Sequence, residues 1–129
     1  MAGTIVANTL NTDTGLFSTQ NAYQGIAKAW VNFQGGNGST AGVINGSFNV
    51  SSITVNSSSN YIVNIATALS SSGYAVVTGQ SFNSTSNGGY TNAMVGGAQT
   101  TTTFYLFNVN TATGGNATAY NVFAACFGA

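Results

Sequence analysis

Asp13 and Lys28 are the only charged side chains in a chain of 129 residues, and histidine and glutamate are absent. Charged residues make up 2% of the sequence, against about 25% in an average soluble domain. One lysine cannot neutralise a run of phosphates, so the counterion-release term that drives nucleic-acid binding is missing and nucleic acid is excluded as a partner. The same shortage removes attraction to anionic membrane surfaces. No apolar run approaches the roughly 18 residues of a spanning helix, so membrane insertion is not expected. The segment Met1 to Asn8 carries no basic region followed by a long apolar one, and no secretory signal is expected.

Catalysis is excluded on similar grounds. General acid–base chemistry draws on His, Glu, Asp, Lys, Cys or Tyr, and beyond its six tyrosines this chain offers one Asp, one Lys and one Cys, with no Glu and no His. Ser-His-Asp and Cys-His arrangements are impossible within it. Lys28 supplies a formal partner for a Ser-Lys dyad, but beside Trp30, mid-strand, its simpler role is to lay its stem across the indole with the ammonium in water. Transition-metal sites need several His, Cys or carboxylate ligands. Calcium held by Asp13 with amide oxygens is weak, because such sites recruit several carboxylates. The glycines of Gly35-Gly36-Asn37-Gly38 and Gly96-Gly97 read as turns rather than phosphate cradles, since neither has a following helix or lysine. The chain is therefore expected not to be an enzyme, with no catalytic, cofactor-binding or metal-ligating residues and no cofactor. The single Cys126 cannot form an internal disulfide, and within Phe123-Ala124-Ala125-Cys126-Phe127 it reads as a small buried hydrophobe.

What is present is the material of a folded β domain. Hydrophobic residues make up 43% and aromatics 12% of the chain, enough to bury a core despite the Ser, Thr, Asn and Gly content. Val, Ile, Thr, Tyr and Phe recur in short runs separated by Gly, Asn and Ser clusters, the punctuation of strands and turns. Strands are expected at Ala27–Phe33, Val43–Val50, Ser52–Val55, Tyr61–Ala66, Tyr74–Gln80, Tyr90–Val95, Thr101–Val109 and Ala119–Phe127. Short strands at this spacing predict an all-β fold, a single β-sandwich of jelly-roll-like type over residues 27–129. Asn83–Gly89 reads as a long loop, and Gly114-Gly115 as the last hairpin turn. In Thr101–Asn108, Phe104 and Leu106 share one face while Thr103, Tyr105 and Phe107 share the other. Bulk on both faces points to outer surfaces covered by another subunit.

Residues 1–26 lack a sustained period, which leaves two readings open, an extended N-terminal arm for attachment or subunit exchange and an ordinary first strand plus loop; the domain division taken here is the arm. Gly3–Leu10 within it is suited to an edge strand or to completing a neighbour's sheet. Sequons such as Asn37-Gly38-Ser39, Asn45-Gly46-Ser47, Asn56-Ser57-Ser58, Asn83-Ser84-Thr85 and Asn116-Ala117-Thr118 arise by chance in such a composition, and glycosylation is not expected. A surface of amides, hydroxyls and aromatics can bind carbohydrate by stacking and neutral hydrogen bonds.

Four segments carry a resemblance. Lys28-Ala-Trp-Val-Asn-Phe-Gln-Gly35, Ser47-Phe-Asn-Val-Ser-Ser-Ile-Thr54, Tyr61-Ile-Val-Asn-Ile-Ala-Thr-Ala-Leu69 and Tyr74-Ala-Val-Val77 resemble, in order and spacing over about residues 26–80, a β-domain of tail-fibre and other virion surface proteins of marine and freshwater phages, cyanophages among them. Tyr120-Asn-Val-Phe-Ala-Ala-Cys-Phe-Gly128 is similar to the closing strand of that family. The sequence departs from it at Val55–Asn60, where the family turn usually carries an aspartate, and at Ser70–Gly73, where acidic residues are common. The resemblance implies a structural protein of the phage virion and does not choose among a distal fibre tip, a neck or collar appendage and a capsid decoration protein; the first expectation is a short tail-fibre or appendage protein serving assembly and host attachment. Its expected partners are further copies of itself, as a trimer, other virion proteins and host surface polysaccharide. Two other readings stand beside it: a capsid decoration (cement) protein that stabilises the head, and an extracellular filament subunit polymerising by strand donation.

Overall fold

The computed structural model of the protein describes residues 9–12, 15–18, 25–36, 41–57, 59–81, 90–94, 97–110 and 119–128. The expected β-sandwich is what forms. The described residues form ten strands: β1 (Thr9–Thr12), β2 (Gly15–Ser18), β3 (Ala29–Gln34), β4 (Ile44–Phe48), β5 (Val50–Ser57), β6 (Asn60–Ile65), β7 (Ala75–Ser81), β8 (Tyr90–Met94), β9 (Thr103–Asn110) and β10 (Asn121–Phe127). One four-stranded sheet has the order β4-β3-β10-β7 and the other β5-β6-β9-β8, with every described pairing antiparallel. The consecutive pairs β3–β4, β5–β6 and β8–β9 stay within a sheet, whereas β4 to β5, β6 to β7, β7 to β8 and β9 to β10 change sheet.

Period-two alternation decides which side chains enter the core. Along β3, Ala29, Val31 and Phe33 are buried while Trp30 is exposed and Asn32 and Gln34 are half-buried. Tyr61, Val63 and Ile65 of β6, Phe104 and Leu106 of β9, and Val122, Ala124 and Cys126 of β10 complete the layer between the sheets. Fully removing such a Val, Leu or Phe side chain from water contributes about 1.5–3 kcal/mol, so these inward rows select the register of every strand. Two edge-to-face ring pairs lie within the core: Phe33 with Tyr61 at 5.1 Å between centroids, and Tyr74 with Phe104 at 6.2 Å.

The structure departs from the sequence reading at several points. The strand expected at Val43–Val50 is broken at Asn49, whose φ of 54° takes the backbone into the left-handed region and turns the chain from β4 in one sheet to β5 in the other. Asparagine tolerates that region better than other non-glycine residues. Lys28 precedes β3 instead of lying mid-strand. Gly114-Gly115 lies outside the described residues, and the connection it belongs to is not a hairpin: β9 pairs with β6 and β8, while β10 pairs with β3 and β7. Phe104 and Leu106 of β9 and Val122, Ala124 and Cys126 of β10 enter one core from opposite layers. Within the expected arm, β1 and β2 form a separate two-stranded antiparallel sheet. The strand proposed at Gly3–Leu10 coincides with it only at Thr9 and Leu10; its start lies outside the described residues, as do the loop Asn83–Gly89 and residue Asp13.

Candidate functional site

The described residues with chemical potential do not converge. Lys28, on the approach to β3, donates its backbone amide to the Cys126 carbonyl at 2.8 Å. The Cys126 thiol is fully buried and unpaired with any other cysteine, its Sγ 3.6 Å from the Ala29 carbonyl oxygen. Burial pushes its pKa up, which suppresses the thiolate. That matches the sequence reading of a structural hydrophobe. Burial also raises the phenol of Tyr61, partly offset by the Gly36 N–H that its hydroxyl accepts at 3.0 Å. The amide of Asn108 sits against the same hydroxyl, outside full hydrogen-bonding geometry, and is completely buried. The pKa of Tyr74 is pushed up to about 12 by desolvation and, secondarily, by the neighbouring Cys126. Both are core phenols, packed between the sheets.

The chain's organised surface lies on the outer face of the β4-β3-β10-β7 sheet. The strand registers set Phe48 opposite Trp30, Trp30 opposite Ala125, and Ala125 opposite Val77, a cross-strand row spanning all four strands. In this row Phe48 is 55%, Trp30 42% and Val77 62% exposed. The next row sets Gly46 opposite Asn32, Asn32 opposite Phe123, and Phe123, 38% exposed, opposite Gly79. Both glycines stand on edge strands, where they make room for a ring. A Cβ on Gly46 would lie 3.5 Å from the six-membered ring of Trp30, and one on Gly79 would lie 3.8 Å from the ring of Phe123. Each aromatic thus lies along a neighbouring strand and covers its exposed backbone, a known device for stabilising edge glycines. Between Trp30 and Phe123 runs an open groove of about 510 Å³ floored by Asn32, Val77, Gly79 and Ala125.

A chain of amides adjoins the rings. A bulge in the β3–β4 pairing, between Asn32 and Phe33, leaves Asn45 without a direct opposite. Its Nδ2 donates to Asn32 Oδ1 at 3.3 Å and to Asn121 Oδ1 at 3.0 Å. Asn121 Nδ2 in turn donates to Ser81 Oγ at 3.3 Å. These bonds orient the carboxamides across the sheet. No described group pairs with Asn32 Nδ2 or Asn45 Oδ1, so a donor and an acceptor are left to the outside.

The opposite outer face differs. There Asn64 Nδ2 bonds Ser52 Oγ at 3.1 Å and Thr54 Oγ1 at 3.0 Å, closing a polar ladder along the β5–β6 pair. Tyr105 and Phe107, whose bulk suggested a covered surface from sequence alone, are half-buried within their own chain.

Sequence reasoning named Trp30 but missed its association with Phe48, Val77 and Phe123. The alternation Trp30-Val31-Asn32 and Asn121-Val122-Phe123 was a readable signal for outward placement. Which outward residues become neighbours depended on pairing β3 with β10, segments whose facing residues Ala29 and Cys126 stand 97 positions apart. A search of protein families, characterised proteins and solved structures finds no match to this chain.

Proposed function

We propose that this chain is a structural protein of a phage particle, exposed on the virion surface as a short tail-fibre or appendage protein that assembles with copies of itself, as a trimer, and contacts the host. The observation that carries the reading is the outward aromatic face of the β4-β3-β10-β7 sheet, with Trp30, Phe48, Val77 and Phe123 exposed on a domain that has a single lysine and a single acidic residue. An ordered apolar patch rimmed by amides marks an interaction site. Strands hold it more rigidly than loops would. The near-absence of charge removes repulsion between packed copies. With no histidine, little titrates over the range met by an extracellular particle. The resemblance at Lys28–Gly35, Ser47–Thr54, Tyr61–Leu69 and Tyr74–Val77 favours a phage virion protein among neutral β-sandwiches, with residues 1–26 as the attaching segment.

The test is to determine the solution mass of the purified chain and then its binding to intact host cells and to expanded capsids. A closed trimer that binds cells is the expected result. A species that ignores cells and binds capsids would identify a cement protein instead. Open-ended filaments would point to strand donation and overturn the reading.

A further inference from the structure

We infer that the groove between Trp30 and Phe123 binds a neutral polysaccharide, the sugar rings stacking on the two aromatics while hydroxyl groups bond the Asn32–Asn45–Asn121 amides. The inference names the ligand class for the host-contact face and rests on the proposed function for the biological source of that glycan. Three observations on the same face converge. Trp30 and Phe123 are exposed, and Gly46 and Gly79 let each lie along its neighbouring strand, which presents ring surface of the kind that apolar sugar C–H faces pack against. The amides beside them are oriented by Asn45 bonding both Asn32 and Asn121, so their outward donor and acceptor are held in place before a ligand arrives. The groove, about 510 Å³ in volume, falls in the usual range for small-ligand sites of about 300–1,000 Å³.

Charge and desolvation decide between ligand classes. The whole sequence holds one Lys and one acidic residue, so an anionic glycan, a phosphate group or a basic peptide would find no set of countercharges and would give up its hydration without return. A flat apolar partner would cover Asn32 Nδ2 and Asn45 Oδ1 without replacing their bonds to water, and leaving such groups unpaired is costly. A polyhydroxylated ring replaces those bonds and still covers the aromatics. Because the groove crosses the sheet and is open, it suits an internal stretch of a chain rather than a single sugar held in a closed cavity.

Trp30 is the only tryptophan in the chain, so tryptophan emission, excited selectively over the six tyrosines, reports on this groove. The experiment titrates the purified protein with α- and β-linked oligosaccharides of glucose, galactose, mannose and N-acetylglucosamine, with oligogalacturonate as the anionic control. A saturable shift of Trp30 emission with one or more neutral oligosaccharides, and none with the control, is the expected result. Calorimetry on the variants completes it: Trp30→Ala is expected to lower affinity by about tenfold or more, and Asn32→Ala by about fivefold, the worth of one neutral hydrogen bond. Trp30→Ala also removes the ring that covers Gly46 and should lower the thermal midpoint, so affinities are compared at a temperature where each variant is fully folded. No emission response to any neutral oligosaccharide at millimolar concentration would overturn the inference, as would binding that survives Trp30→Ala. Emission that changes with protein concentration instead of sugar would also overturn it and assign the face to a second copy. The assay is independent of the particle, so a protein that forms trimers and binds cells but ignores neutral glycans would lose this inference and keep the proposed function.

Discussion

Asn49 and Thr67 are joined reciprocally: the Thr67 amide donates to Asn49 Oδ1 at 2.8 Å, and Asn49 Nδ2 donates to the Thr67 carbonyl at 3.1 Å. The same Nδ2 also reaches the Lys28 carbonyl at 3.1 Å. One side chain therefore ties the corner between β4 and β5 to the chain leaving β6 and to the approach to β3. Asn49→Ala should cost about 2–3 kcal/mol, from the lost bonds and from placing alanine at positive φ. Asn49→Gly keeps the backbone relaxed and should cost about 1 kcal/mol less. Urea midpoints at unchanged m-value would measure both.

The hydroxyl of Tyr61, fully buried, accepts the Gly36 amide across a separation of 25 residues. Tyr61→Phe keeps the edge-to-face contact with Phe33 and strands that amide, an expected loss of about 1–2 kcal/mol. Gly35, one position earlier, is the more demanding site. A Cβ there would stand 2.5 Å from the Ala119 carbonyl oxygen, a backbone atom. Gly35→Ala should therefore destabilise more than Tyr61→Phe, and the reverse order in denaturation midpoints would refute this account of the β3 end.

Alkaline stability follows from the two core phenols. Both Tyr61 and Tyr74 have pKa values raised by burial, Tyr74 to about 12. A group whose folded pKa lies above its unfolded value contributes stability that is fully present below the unfolded pKa, about 10 for tyrosine, and is lost as pH rises toward the folded one. The Cys126 thiol, also raised by burial, follows the same rule from its unfolded value of about 8.5, so the thermal midpoint is expected to stay level from about pH 5 to pH 8, to begin falling above about pH 8.5 and to fall more steeply above about pH 10. Tyr74→Phe should flatten that fall. It should also lower the midpoint at every pH, because the Tyr74 hydroxyl donates to the Thr100 and Thr103 carbonyls at 2.9 and 3.1 Å.

Cys126 should be silent to thiol reagents in the folded protein, since it is fully buried and burial holds its pKa up. Aromatic disulfide reagents at neutral pH are expected to label nothing until denaturant is added, and then to label one thiol per chain. Rapid labelling of the native protein would show that β10 opens from between β3 and β7.

All eight strands read from residues 27–129 have counterparts in β3 to β10, because apolar alternation and turn residues act within a few positions of each other. The break at Asn49 was hidden: Val43–Val50 reads as one run, and a single left-handed residue leaves almost no trace in a propensity pattern. The turn at Gly114-Gly115 misled for the opposite reason. A strong local turn signal says that the chain reverses but not whether it reverses within a sheet or between sheets.

For the candidate site the division is sharper. Composition alone determined its chemistry, since a chain with one lysine, one acidic residue and no histidine has only amides, hydroxyls and aromatic rings to offer a partner. Alternation determined that Trp30, Asn32, Asn121 and Phe123 face away from the core. Only the tertiary structure decided that they face away together. That required β10 to insert between β3 and β7 and a bulge to swing Asn45 over both asparagines. Facing is set by the two-residue repeat of the backbone, whereas adjacency is set by which long-range pairing buries the most apolar surface over the whole chain, and no local stretch of sequence contains that sum.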